Sequence, residues 1–425
     1  MKKQTKCGFL SKHRCSIWFF IYVSLYNFLI VTRFQLWQTP ALGSYTHHIV
    51  DYGTLGFRSG LLPGSIYYGL FGENASVKSA AAYDTVLILI FFLAASVLLE
   101  RFMNRVSLQY KTAALIISLV LLSGPFTFAV YTDELGMLDV YFLFFSIIFF
   151  FVFENKILRF VVPAVFVLLA MTHMSSVISY MVLLGTLMLY RISTEEDPKQ
   201  KKSLVAVFAL SMVAAMGISV YFLAFKKDIP ITVEQFNQIA EQRGGKYFSY
   251  YDYILFDRNY YTGGYLYPEE LYEIENPVWR ALSLSYARIK FLHTEYLRVY
   301  MTNFAERVLR FAVSVILLSP LMAFYYKKMY RLFRSIENNK LFKFSVFLMM
   351  VQFPFTFGFG YLFSVDIIRW FAHSFLISFT MLLYVMYRQE DFRNDVLSSV
   401  DSFRQMPATW IYLLAYSLVN FSAYS

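Results

Sequence analysis

Cysteine is almost missing from this chain. There are two in 425 residues, Cys7 and Cys15, both in a basic leader ahead of the first long apolar run. That excludes an extracytoplasmic disulfide framework and leaves no thiol near the loops considered below. Charge is scarce too, at 16% of residues against about 25% in an ordinary soluble domain. Combined with 58% hydrophobic residues and a mean hydropathy of +0.50, this excludes a soluble enzyme. No Walker A loop, Rossmann glycine fingerprint, His-Glu-x-x-His pair or Gly-x-Ser-x-Gly elbow occurs. ATP hydrolysis, nicotinamide chemistry and zinc proteolysis therefore have no support. Internal repeats and low-complexity segments are absent as well.

What the chain has in quantity is aromatic and aliphatic side chain, with 46 Phe and 34 Tyr. Apolar runs of about 20 residues recur along its length, as they do where helices cross a bilayer and lipid offers no partner to an unpaired peptide group. The fold class expected is all-α, a polytopic membrane protein of about eleven transmembrane helices in a single integral-membrane domain over 1–425. The formal charge of +10 does not point to nucleic acid, because the basic residues fall in short clusters between apolar runs and not on one face. The clusters fix orientation instead. Of 38 Lys/Arg, 23 fall on the side of Lys2, Lys3, Lys6, Lys12 and Arg14, which places the N-terminus in the cytoplasm and the protein in the inner (cytoplasmic) membrane. The first apolar run, 16–31, follows a basic segment as a signal peptide does. It is aromatic-rich and lacks a small-residue cleavage pattern, so a retained helix is expected.

Further spans are expected near 81–99, 112–130, 140–153, 204–225, 308–324, 344–363, up to Arg388, and 408–421, with a short interfacial helix over Ser65 to Phe71. Residues 160–190 are too long for one span and short for two, so two short helices should meet at an outer bend near His173. The longest polar stretch, 226–306, holds nine Lys/Arg, eleven Asp/Glu and twelve Tyr, a composition that suits a folded extracytoplasmic cap of short helices. Within it, Thr232 to Gln235 reads as a capping box, and 277–301 as an amphipathic helix with Trp279, Leu282, Tyr286, Ile289 and Leu292 toward lipid.

Ionisable groups at membrane depth are costly and are therefore candidates for chemistry. The stretch from Tyr45 to Gly64 gathers His47, His48, Asp51, Arg58 and four glycines into one turn-rich loop. Two readings fit it: a ligand site in which glycine permits close backbone approach and Arg58 forks a phosphate, or a tight re-entrant loop with Arg58 reaching lipid headgroups. Asp366, Arg369 and His373 fall at helical spacing at the start of a late span, as a site or as an internal ion pair. Asp133, Glu134 and Asp139 form a short outer turn, either solvated or part of a site. His173 stands alone, as a bend residue or a catalyst. Outward-facing Asp and His beside Arg suit an anionic phosphate held by guanidinium and an acceptor hydroxyl deprotonated by carboxylate or imidazole. A polyprenyl-diphosphate-linked saccharide, with its tail in membrane lipid, is a substrate of that kind.

The basic N-terminus, Phe/Tyr-rich spans, first outer loop with Asp51, large late outer loop and outer arginines resemble bacterial envelope-polysaccharide membrane proteins. These are the O-antigen and capsule polymerases and the glycosyltransferases of the GT-C type. The resemblance implies transfer or polymerisation of sugar units on the outer face of the membrane. It implies an acidic base in the first outer loop, matched by Asp51 with His47, His48 and His373 as alternatives. It also implies phosphate-binding arginines, matched by Arg58 and Arg369. The adjacent acidic pair usual in GT-C enzymes is not present, so no cofactor is required by the resemblance and a divalent metal is left open. A flippase or other transporter is the alternative from a different class; repeat symmetry and midplane charges, which would favour it, are not evident.

Overall fold

The computed structural model describes residues 13–31, 48, 50–57, 59–128, 131, 138–224, 232–243, 258–259, 264–265, 269–271, 273–291, 304–363 and 367–418. Nearly all are helical. In chain order the helices are α1 (Arg14–Leu25), running on as a π-helix to Val31, α2 (Tyr52–Leu55), α3 (Leu62–Phe71), α4 (Val77–Met103), α5 (Lys111–Leu122), α6 (Asp139–Val152), α7 (Val162–Thr172) and α8 (Tyr180–Ser193). They continue with α9 (Pro198–Ala224), α10 (Val233–Gln242), α11 (Pro277–Phe291), α12 (Phe304–Ser335), α13 (Lys340–Phe363), α14 (Ile367–Arg388), α15 (Glu390–Arg404) and α16 (Pro407–Leu418). Among the described residues five helices, α4, α9, α12, α13 and α14, are long and apolar enough to cross a membrane, and α5 to α8 are shorter apolar helices.

Local chemistry explains the helix starts. Ser76 and Ser79 exchange side-chain bonds with each other's backbone N–H to open α4, and Thr232 with Gln235 does the same for α10, as its sequence predicts. Proline occupies the first turn of α3 and α7, where its missing N–H leaves no bond unmade. The paired short helices expected within 160–190 are α7 and α8, with His173 as the last cap of the first. Other expectations are corrected. α5 ends at Leu122 and gives way to turns, so its run does not reach Val130 as one helix. α12 continues past Phe324 to Ser335. The region 226–306 is not purely helical, since Arg258–Asn259 pairs antiparallel with Gly264–Tyr265. In α11 the side chains of Trp279, Leu282 and Tyr286 are exposed, as an outward apolar face requires; Leu292 lies outside the described residues.

α14 is the axis of the bundle. Its apolar window is 83% buried, against 56% for α4 and 22–33% for the other three long helices. It packs on α12, α13, α8 and α15, while α6 joins α4 to α7 and α1 lies along α4. Charged groups gather at the two ends of this bundle. One end holds His13 with Glu100, Arg191 and Arg388 with Glu154, and Lys328 with Asp395. The opposite end holds Asp51, Asp84, Asp139 and three of the histidines.

Candidate functional site

The first turn of α6 sits between two buried His–Asp pairs. Asp139 opens the helix, where the positive end of the helix dipole favours a carboxylate. Its Oδ1 accepts from His373 Nε2 at 3.0 Å, and its Oδ2 is 3.7 Å from Arg369 Nε, one turn earlier on α14. With Nε2–H committed to the carboxylate, His373 turns Nδ1 toward two phenols, Tyr131 Oη and Tyr180 Oη, each at 3.2 Å. Those hydroxyls are 3.0 Å from one another. The four residues are almost completely buried. Trp370 packs beside the imidazole, with ring centres 5.3 Å apart. It can do so because position 360 is glycine: a Cβ there would stand 2.0 Å from the Trp370 ring. A carboxylate fixes the imidazole, and the imidazole's other nitrogen faces exchangeable phenolic protons, which is the arrangement of a proton relay.

Two residues further along α6, Tyr141 joins the second pair. His48 Nε2 is 3.0 Å from Asp84 Oδ1 and 3.0 Å from Tyr141 Oη, and its ring is edge-on to Tyr67. Asp84, in the second turn of α4, has no exposed side-chain surface.

The loop that follows α1 closes over this end. Asp51 caps α2 through Oδ1, which accepts from Thr54 N at 2.7 Å and Thr54 Oγ1 at 2.8 Å. Asp51 Oδ2 pairs with Arg243 Nη1 at 3.1 Å, and the Arg243 guanidinium lies 3.5 Å above the Tyr68 ring. One residue from the 226–306 region thus latches onto the first loop. Gly60, at φ 90°, donates its N–H to Met171 O and passes within contact of His173. His173 Nδ1 accepts from Ser175 N at 3.1 Å, so it secures the bend between α7 and α8.

The expected residues therefore separate into groups. Asp139, Arg369 and His373 converge; His48 joins a neighbouring cluster; Asp51 and His173 hold the covering loop. His47, Arg58, Asp133, Glu134 and Asp366 lie outside the described residues. Among the described residues a carboxylate beside Arg369 is Asp139, which the sequence assigned to a separate turn. Asp84, Tyr131, Tyr141, Tyr180 and Arg243 were not anticipated. Asp84 carried a usable signal, being an acid inside an apolar run; the tyrosines carried none among 34. Among the described residues no three His, Cys, Asp or Glu side chains gather as a metal site would require.

Behind the relay an apolar cavity of about 200 Å³ lies between α4, α6, α8 and α14. Tyr180 lines it at the relay end, and Arg101, Glu154 and Tyr387 line it at the opposite end. No protein-family model matches the chain, and no curated protein or solved structure is significantly similar to it.

Proposed function

We propose that the chain joins sugar units from a polyprenyl-diphosphate-linked donor on the outer face of the cytoplasmic membrane, as a glycosyltransferase or polymerase of envelope polysaccharide. In this reading the helices make about eleven crossings with the N-terminus cytoplasmic, and the end holding Asp139 and His373 faces outward. The observation that carries it is the Asp139–His373–Tyr131/Tyr180 relay with Arg369 beside it. An acceptor hydroxyl oxygen attacks the anomeric carbon, the bond from that carbon to the diphosphate breaks, and polyprenyl diphosphate departs with the electron pair. The hydroxyl proton passes through a phenol to His373 Nδ1, and Asp139 stabilises the imidazolium that results. In this reading Arg369 binds the diphosphate through its guanidinium. His373 suits the role of base better than Asp51, whose two oxygens are taken up by a helix cap and by Arg243.

Replacing His373 by Gln in a deletion strain of the source organism tests this. Long glycan chains should fall by about 10²- to 10⁴-fold, the effect of losing a general base, while single repeat units persist and the protein stays in the membrane at its normal level. Chains of wild-type length would reject the relay. The alternative from a different class is a flippase for the same carrier. In that case single repeats would also be lost from the outer face.

A further inference from the structure

The cavity behind the relay has walls of hydrocarbon and ring, among them Phe91, Leu143, Ile147 and Leu376, and one charged mouth. Its length follows from the helices that form it. Lining runs from Phe91 to Phe102 on α4, a separation of eleven helical rises of 1.5 Å each, or about 16 Å. At the relay end it stops against Tyr180, which is only 1% exposed and hydrogen-bonded to His373. At the other end two guanidiniums flank it. Arg101 lies over the Phe151 ring at 4.9 Å, and Arg105 lies over the Tyr387 ring at 3.8 Å while donating to Tyr387 O at 3.0 Å. Both arginines are exposed. Neither has a carboxylate within ion-pair distance among the described residues. Glu154, the acid of this mouth, already serves Arg191, Arg388 and the Tyr384 hydroxyl.

We propose that this cavity holds one acyl chain of an anionic membrane phospholipid, whose phosphate lies on Arg101 and Arg105. Guanidiniums on aromatic faces suit a phosphate diester in the sign of the charge and in hydrogen-bond geometry. A cavity about 16 Å deep takes most of one acyl tail. A polyprenyl chain of many isoprene units is far longer than the space between Arg101 and Tyr180. The site is therefore distinct from the sugar-donor site and does not rest on the proposed function. The tip of the bound chain meets Tyr180, so occupancy would support the phenol that faces His373.

The test is lipid retained by the purified full-length protein, read by native mass spectrometry after exchange into detergent with phosphatidylglycerol or phosphatidylcholine. Wild type should keep one phosphatidylglycerol per chain and exchange phosphatidylcholine freely. Substituting Arg101→Ala together with Arg105→Ala should lower that occupancy about tenfold or more, as loss of a charge-assisted hydrogen bond does. Ala95→Phe, which fills the cavity, should abolish it, whereas Leu93→Phe, on the exposed face of the same helix, should not. A phosphatidylglycerol with a diazirine near the end of one acyl chain gives a second measurement on the unaltered protein, and its label should fall on cavity residues near Tyr180. Full retention in Ala95→Phe would overturn the proposal. So would equal retention of phosphatidylcholine, retention of a polyprenyl phosphate in its place, or labelling confined to the outer faces of the helices.

Discussion

At the scale of single residues, Asp51 and Asp84 do different work, and substitutions at their sites should separate. Asp84 is buried with His48 and Tyr141, whereas Asp51 sits at a loop cap and shares its second oxygen with Arg243. His48→Ala leaves the Asp84 carboxylate without its main partner, at a cost of roughly 3–5 kcal/mol. Asp51→Asn keeps an acceptor for Thr54 and loses a largely buried ion pair while Arg243 keeps its stack on Tyr68, at a cost of about 2 kcal/mol. Thermal unfolding in detergent should therefore rank His48→Ala well below Asp51→Asn, and equal losses would contradict the geometry. Sequence alone could not make this distinction. It gave both histidines and Asp51 to one loop, because adjacency in the chain was the only grouping available. His48 in fact reaches across to α4 and α6. An acid within an apolar run needs a partner, a signal that Asp84 carried and that went unused; what it could not supply was which histidine answers it.

Among the helices, α15 shows where apolar runs stop being informative. Arg393 and Arg404 mark the inner side in the sequence, yet the helix between them has no long hydrophobic stretch. It folds because Phe392, Val396, Leu397 and Val400 recur at helical spacing and bury one face, leaving charge on the other. Lys328 fastens it. Its Nζ donates to Asp395 Oδ2 at 2.6 Å, to the Asp395 carbonyl at 2.8 Å and to Ser399 Oγ at 2.7 Å, binding α12 to α15. The same contacts explain why α12 runs on to Ser335, beyond the end of its apolar stretch. Lys328→Met keeps the packing volume and removes three bonds. Amide exchange across 390–404 should then accelerate by about tenfold or more, for a loss of 1.5–3 kcal/mol per bond to a charged group only partly recovered by water. Unchanged exchange would mean that α15 is held by its apolar face alone. The α7–α8 break, by contrast, was legible, because a polar stretch interrupts a run of the wrong length for either one span or two.

For the molecule as a whole, the layout of long helices could be read from hydropathy, and the convergence of distant segments could not. Asp139 and His373 are 234 positions apart, and nothing in either local sequence names the other. The orientation proposed here predicts that reporter fusions after Lys202 and Asn338 read cytoplasmic and that one at Gly264 reads external; a cytoplasmic Gly264 would invert the arrangement and put the relay on the wrong face for a lipid-linked donor. The long-range pair also bears on biosynthesis. His48 and Asp84 lie 36 positions apart, so the early part of the nascent chain carries the means to satisfy Asp84. Asp139 must wait for α14, which at about 5–20 residues per second emerges roughly 10–50 s later. For that interval the half-made protein holds an unanswered carboxylate in a setting hostile to it, and the ribosome, by finishing α14, supplies the histidine that lets the bundle close.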